Sequence, residues 1–433
     1  MTSRPKDGRS SFRRRKRSQM HAEAEAEAVQ LESIDDHPMI VNGRPEIVED
    51  ETGLESIADH VKQVGSFAYD TEFIGEETFH PRICLVQIAT AERLVLIDPV
   101  KVPDLGPIFE MVADPEIETL VHDGAQDLEP VRRLLDRDPG GIIDTQVCAA
   151  FLDMPWPSSL AKLIDRFAGH RLAKGHTFTD WDARPLTDRQ IRYAADDVRF
   201  LPLAWSRMRP ALESAGRFEW AMRECDESRR RHVGRFDVEK QVRRIVRGSR
   251  VKARTSTVLF GLVELRHEIA RELDLPHRVA ISDEGLNELA KTQPADAAAV
   301  GACRNIGKRT ASEFGERIAA QIKSALEGPT RVLTGNKTRD ETAEDRMRID
   351  ALWSALSLRS LADGIAPSIL TSRADLGSWY LARMAGESDK ELFAQESWRH
   401  DAAGAWLESF IAGEAELTLG WQDGRLQRGA DES

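Results

Sequence analysis

Cysteine is scarce in this 433-residue chain. Cys84, Cys148, Cys225 and Cys303 are widely scattered, with no Cys-x-x-Cys pair. That spacing argues against a zinc site or a disulfide framework and fits a reducing cytoplasm. Long apolar runs are missing too, and none approaches the ~20 residues that a membrane span needs. The N-terminus is basic, but Ala-Glu repeats follow it where a secretory signal would have an apolar stretch. Residues 1–40 hold no aromatic except Phe12, so they are expected to form a disordered basic and Ala-Glu tail.

What remains is globular in composition, at 41% hydrophobic and 31% charged. The length suits about three domains. The net charge of −13 hides an asymmetry: residues 1–20 carry eight Lys/Arg against one Asp. A second basic block, 228–254, carries eleven Lys/Arg against two acids. Such a block is either a solvated face or a contact for a phosphate backbone.

The pattern predicts a helix over 52–64, then strands over 65–73, 82–90 and 93–98. The last two are separated by Ala91-Glu92, a loop short enough for a hairpin. Helix, strand and helix follow near 105–113, 117–122 and 125–137, then a short strand at 142–144 and helices over 145–153 and 159–169. A loop occupies 171–187. A long helix runs from Asp188, read as its N-cap, to about 215. A meander followed by alternating helix and strand implies a mixed sheet with helices on both faces.

The first of these strands ends in Asp70-Thr71-Glu72. Alternate residues of a strand share a face, so Asp70 and Glu72 converge. Two such carboxylates repel unless a proton or a cation lies between them, and a hard divalent ion prefers oxygen ligands. The plainer alternative is a polar strand end facing water. Asp127 falls in the first turn of the helix after His122-Asp123-Gly124, where an acid also suits the helix dipole. Asp123 and Glu129 compete for its role. Tyr193 and Asp197 stand four apart on the long helix and share a face, whereas Asp196 is offset by about 100°.

These residues resemble a known family. Asp70-Thr71-Glu72-Phe73, His122-x-Gly-x-x-Asp127-Leu128 and Tyr193-x-x-x-Asp197 look like the three motifs of DEDD-superfamily 3′–5′ exonucleases, tyrosine subclass. Ile83-Cys84-Leu85-Val86-Gln87-Ile88, Leu96-Ile97-Asp98-Pro99, Asp144-Thr145-Gln146 and Asp180-Trp181-x-x-Arg184-Pro185-Leu186 are similar to ribonuclease D sequences. Leu262-x-x-Leu265-Arg266, Leu275-Pro276 and Ile281-Ser282-Asp283-Glu284 resemble the helicase-and-RNase-D C-terminal (HRDC) domain, and 344–414 looks like a more divergent second copy.

The resemblance implies an α/β ribonuclease-H-like exonuclease domain followed by two small all-α HRDC domains. The expected division is tail 1–40, exonuclease 41–215, basic helical linker 216–254, first HRDC domain 255–328, linker 329–343, HRDC-like domain 344–416 and C-terminal tail 417–433. It implies a cytoplasmic, monomeric exoribonuclease releasing 5′-mononucleotides from single-stranded RNA 3′ ends, such as those of tRNA precursors. Two divalent ions, Mg²⁺ or Mn²⁺, would be held by Asp70, Glu72, Asp127 and Asp197, with Asp70 bridging and Tyr193 orienting the attacking water. RNA contacts are expected from His122, Arg243, Arg244 and Arg247. Phe79, His80 and Trp181 could flank terminal bases but are read first as packing. The rival readings are a catalytically silent RNA-binding scaffold and a DNA 3′-exonuclease.

Overall fold

The computed structural model describes residues 37–75, 77–172, 180–233, 236–246, 251–333, 341–386, 392–422 and 424–429. The readings placed on residues 1–36 of the N-terminal tail, on 173–179 of the loop, on Arg247 and on 334–340 of the linker therefore lie outside the described residues.

The strand that carries Asp70 and Glu72, β2 (Ser66–Ile74), lies inside a six-stranded mixed sheet. It pairs antiparallel with β3 (Arg82–Ala89), which pairs antiparallel with β4 (Leu94–Ile97). On its other side β5 (Glu118–Val121) and then β6 (Ile142–Asp144) run parallel. The expected meander is present. Its hairpin is closed by Thr90, whose hydroxyl accepts the Glu92 and Arg93 N–H groups at 3.1 and 2.9 Å. The sequence pattern missed β1 (Glu46–Val48), which pairs parallel with β4 at the sheet edge. Three residues are too few to establish an alternation.

Helices cover both faces. Phe67, Tyr69, Val86, Ile88 and Ile97 pack on one side with α1 (Glu51–Val64), α2 (Gly106–Ala113) and α3 (Ala125–Leu135). On the other side Ala68, Ala89 and Leu120 meet α4 (Thr145–Ala150), α5 (Leu160–Phe167), α6 (Asp188–Arg199) and α7 (Leu201–Ser214). The expected single helix from 188 to about 215 is thus two, broken at Phe200. Pro202 has no N–H to offer the Val198 carbonyl, and the Phe200 N–H takes that carbonyl instead. The cap of α6 is also one residue earlier than expected. Thr187 and Gln190 form a reciprocal capping box, with bonds of 3.2 and 2.9 Å.

The segment expected to be a linker begins with α8 (Phe218–His232), and this helix belongs to the exonuclease body. Ala221 and Cys225 are buried in the sheet-side core, Cys225 Sγ lying 3.9 Å from Cys148 Sγ. All four cysteines are free and buried. After α9 (Val238–Val246), a separate apolar core is built from α10 (Ala253–Glu272), α11 (His277–Ala280), α12 (Asp283–Thr292), α13 (Ala297–Gly301) and α14 (Lys308–Glu327). Phe79, in the loop after β2, reaches this unit. Its ring lies 5.2 Å from those of both His267 and His277, and its N–H donates to Asp274 at 3.2 Å.

The second helical unit, α15 (Ala343–Ala362), α16 (Pro367–Leu370), α17 (Arg373–Met384), a π-turn at His400–Gly404 and α18 (Ala405–Ala412), docks on the exonuclease body. Trp398 is fully buried and meets the Phe151 ring edge-on at 4.9 Å. Its Nε1 donates to Glu224 at 2.9 Å, and Arg399 pairs with the same carboxylate at 2.7 Å. The backbones join as well: Ala366 N–H donates to Ala150 at 2.8 Å and Asp153 N–H to Gly364 at 2.9 Å. The expected C-terminal tail contains a hairpin, β7 (Leu419–Gln422) and β8 (Arg425–Arg428), tied to this unit by an Arg428–Asp363 pair at 3.0 Å. No helix among the described residues is long and apolar enough to cross a membrane.

Replacing Trp398 by Ala removes a buried indole and a hydrogen bond to a buried carboxylate. The expected loss is about 3–5 kcal/mol, read as a lower denaturant midpoint. A midpoint within error of the parent would show that the docking contributes nothing to stability.

Candidate active site

Because β2 alternates, Asp70 and Glu72 face the same side as α6, where Asp197 comes down onto the sheet. Carboxylate oxygens of Asp70, Glu72 and Asp197 all lie within 4.8 Å of one another. The approach depends on small residues: Ala194 and Ala195 are fully buried where α6 meets the sheet. A β-bulge adds to it. Glu72 faces Leu85 and Phe73 faces Ile83, which leaves Cys84 as the extra residue on β3. Bulges bend a strand and re-aim its side chains.

Asp127 reaches the cleft from the first turn of α3. One of its oxygens accepts both the Thr71 N–H at 3.1 Å and the Thr71 hydroxyl at 2.5 Å. The turn before it is tightly built. Asp123 has φ +60°, and its N–H donates to Asp144 at 3.1 Å. A Cβ on Gly124 would stand 2.5 Å from the Val121 side chain, so only glycine fits. Asp144 also caps α4 through the Gln146 N–H at 2.9 Å. Sequence reasoning assigned no role to Thr71 or to Asp144. A β-branched residue in a strand and an acid before a helix are both ordinary. Asp123 itself is left in the turn, and Glu129 pairs with Arg133 at 3.3 Å and His80 at 3.6 Å.

Tyr193 stands one turn before Asp197 on the same face of α6, and its hydroxyl lies close enough to that carboxylate to favour its charged form. Asp196 points elsewhere and pairs with Arg199 at 3.2 Å. Together Asp70, Glu72, Asp127, Tyr193 and Asp197 line an open cleft of about 290 Å³. Burial and mutual repulsion make the acids hard to ionise. Burial, then Asp197 and Asp127, push Glu72 up to about 8. Burial and Asp196 push Asp197 to about 7. Burial raises Asp127 to about 6 against the opposing Thr71 bonds. Asp70 is raised by burial, then by Asp127, Asp197 and Glu72. Tyr193 is raised by burial and by Asp197, so it keeps its proton at neutral pH.

Of the expected RNA contacts, His122 lines the same cleft but spends both ring nitrogens on the protein. Nδ1 meets the Thr145 hydroxyl at 3.0 Å, and Nε2 donates to the Ser158 carbonyl at 3.0 Å. Burial lowers its pKa to about 4, so the ring is neutral. Arg243 pairs with Glu239, and Arg244 pairs with Asp283 at 3.6 Å. Arg229, Arg230 and Arg231 of the same basic block pair with acids of α8. Trp181 is buried, and Phe79 is turned into the first helical unit, so both act in packing.

A mixed sheet that gathers carboxylates from one strand and two helices beside a tyrosine is compatible with divalent metal, and comparison with known families gives the class as a 3′–5′ exonuclease. The family model described as 3′–5′ exonuclease matches residues 45–213, and the HRDC domain model matches 257–322. Ribonuclease D of Musicola paradisiaca is 31% identical over 257 residues, 59% of this chain and 69% of the relative. Ribonuclease D of Bartonella henselae is 29% identical over 382 residues, covering 87% and 93%. The crystal structure of Escherichia coli RNase D superposes with a TM-score of 0.72 at 26% identity, covering 86% of this chain and all of that one. The chain belongs to the ribonuclease D family and is a 3′–5′ exoribonuclease.

The raised carboxyl values predict a pH dependence. Folded values of about 6 to 8 lie above the ordinary value near 4, so the folded protein holds more protons than the unfolded chain in between. In chelator, this contribution to stability is full below about pH 4 and is lost as pH rises through 6 to 8. The melting temperature should fall over that range, and less steeply in Asp70→Asn. A flat profile in the parent protein would contradict the assigned crowding.

Proposed function

We propose that the chain trims RNA 3′ ends in the cytoplasm as a monomer, releasing 5′-mononucleotides from tRNA precursors or other structured RNAs by two-ion hydrolysis. The observation that carries the chemistry is the cluster of Asp70, Glu72 and Asp197 oxygens within 4.8 Å, on groups that resist ionisation without a cation. This all-oxygen donor set fits Mg²⁺ or Mn²⁺. Asp70, Glu72 and Asp197 would hold the ions, with Asp127 joining them through the oxygen that Thr71 leaves free. Bound there, the ions supply Lewis acidity that neutralises the phosphate and makes water nucleophilic at neutral pH.

The protein's own groups do the rest. Tyr193 stays protonated and so acts as a donor that orients the attacking water, not as a base. Thr71 holds Asp127 in place. His122, with both nitrogens engaged, offers RNA only its ring surface. The tRNA reading is supported by kinship, since the Escherichia coli relative is described as an exoribonuclease involved in structured RNA processing.

Digesting 3′- and 5′-labelled RNA and DNA strands side by side, with and without Mg²⁺, tests the reaction. Mononucleotides released from the 3′ end of RNA are expected, and faster cutting of DNA would overturn the substrate assignment. Asp70→Asn should slow turnover more than a thousandfold, about 4 kcal/mol of barrier. Asp197→Asn should cost far more than Asp196→Asn, and equal losses would refute the assigned ligand set.

We further propose that Arg243, Arg244 and Arg247 meet phosphates, since the side chains of Arg243 and Arg244 are 46% and 43% exposed and can exchange their carboxylate partners. Changing all three to Ala should flatten the salt dependence of RNA affinity by up to ~2 log–log units, at about 0.7 per phosphate. An unchanged slope with a lower melting temperature would assign these arginines to domain packing.

A further inference from the structure

One segment beside the cleft has no part in the chemistry described so far. Residues 180–187 cross the ends of β3 and β4 and lead into α6. Arg184 fastens them. Its Nε and Nη2 form a fork on Asp98 at 2.7 and 2.8 Å, and Asp98 is 4% exposed. Nη2 also donates to the Cys84 carbonyl at 2.7 Å, and Nη1 to the Trp181 carbonyl at 2.8 Å. Cys84 is the extra residue of the bulge opposite Glu72 and Phe73, and a bulge leaves such a residue outside the ladder. A single guanidinium therefore ties the end of β4, the bulge and the segment together. Arg82 pairs with Asp182, and Gln190 of α6 donates to the Asp180 carbonyl at 3.0 Å.

The segment delivers Trp181. Its ring is buried among Leu85, Leu96, Ile191 and Ala194 and lies 6.2 Å from the Tyr193 ring at a 40° tilt. Tyr193 is 37% exposed, so this indole is a wall beside a ring otherwise open to the cleft. We propose that Arg184 is a positioning residue for the reaction: it holds Trp181 against Tyr193 and so fixes where the tyrosine hydroxyl points. The proposal rests on the role given above to Tyr193. Lysine cannot replace the fork, because an ammonium is a point charge that cannot bind a carboxylate bidentately and two carbonyls together.

The chain has three tyrosines, Tyr69, Tyr193 and Tyr380, so 3-fluorotyrosine labelling gives three fluorine resonances. In Arg184→Lys and in Asp98→Asn, which breaks the fork from the other side, the Tyr193 resonance should shift or broaden while the other two stay. Arg184→Lys should lower kcat about ten- to a hundredfold, the usual cost of a small misplacement, with KM changed less than about twofold. In a Tyr193→Phe background it should cost nothing further. Independent, multiplying losses in that background, or an unmoved Tyr193 resonance in both variants, would overturn the proposal. If Tyr193→Phe alone kept the parent rate, the role of the hydroxyl would fail, and the fluorine spectrum would still decide whether Arg184 positions the ring.

Discussion

Three carboxylates forced together at the end of a buried strand set the terms for the rest of the molecule. Asp70, Glu72 and Asp197 repel one another, and burial removes the water that would screen them. The fold must therefore hold the site from outside. β2 is anchored between β3 and β5 as far as Ala68, and β3 alone pairs with it through the carboxylate end. Fully buried alanines seat α6 on the sheet, and a capping box fixes where that helix starts. Thr71 keeps Asp127 from swinging away, with two hydrogen bonds to one oxygen. The conflict is confined to a few atoms, and ordinary apolar packing surrounds it.

Much of this was legible in the chain itself. Asp70 and Glu72 share a face because a strand repeats every two residues, and Tyr193 and Asp197 share one because a helix nearly repeats every four. The site assembles from these local periods, so sequence spacing could reach it. The bulge at Cys84 could not be read, since an extra residue on β3 shows only against its partner strand. The roles of Thr71 and Asp144 were hidden for the same reason, because each acts on a turn distant in the chain.

Other misreadings came from composition. The helix Phe218–His232 looked like part of a basic linker because the basic block 228–254 begins inside it, but its arginines at 229–231 pair with acids one or two turns earlier. A narrow stripe, Ala221 and Cys225, is what seats it in the core. The hairpin after 418 looked like a tail because most of its residues are exposed, which leaves no alternation to detect. Pro202, by contrast, was a visible break inside a helical pattern, and its effect follows from its missing N–H.

The burial of Trp398 against Phe151 and Glu224 also bears on synthesis. The two partners lie in the exonuclease body, and the whole first HRDC unit separates them from the indole along the chain. That unit has its own core and can close as soon as it leaves the ribosome, but the catalytic body cannot. At 5–20 residues per second, the apolar seat around Phe151 waits about 12–50 s for its plug. During that interval the nascent chain presents an uncovered apolar surface, and a chaperone that shields it would act on a body whose last piece is still being translated.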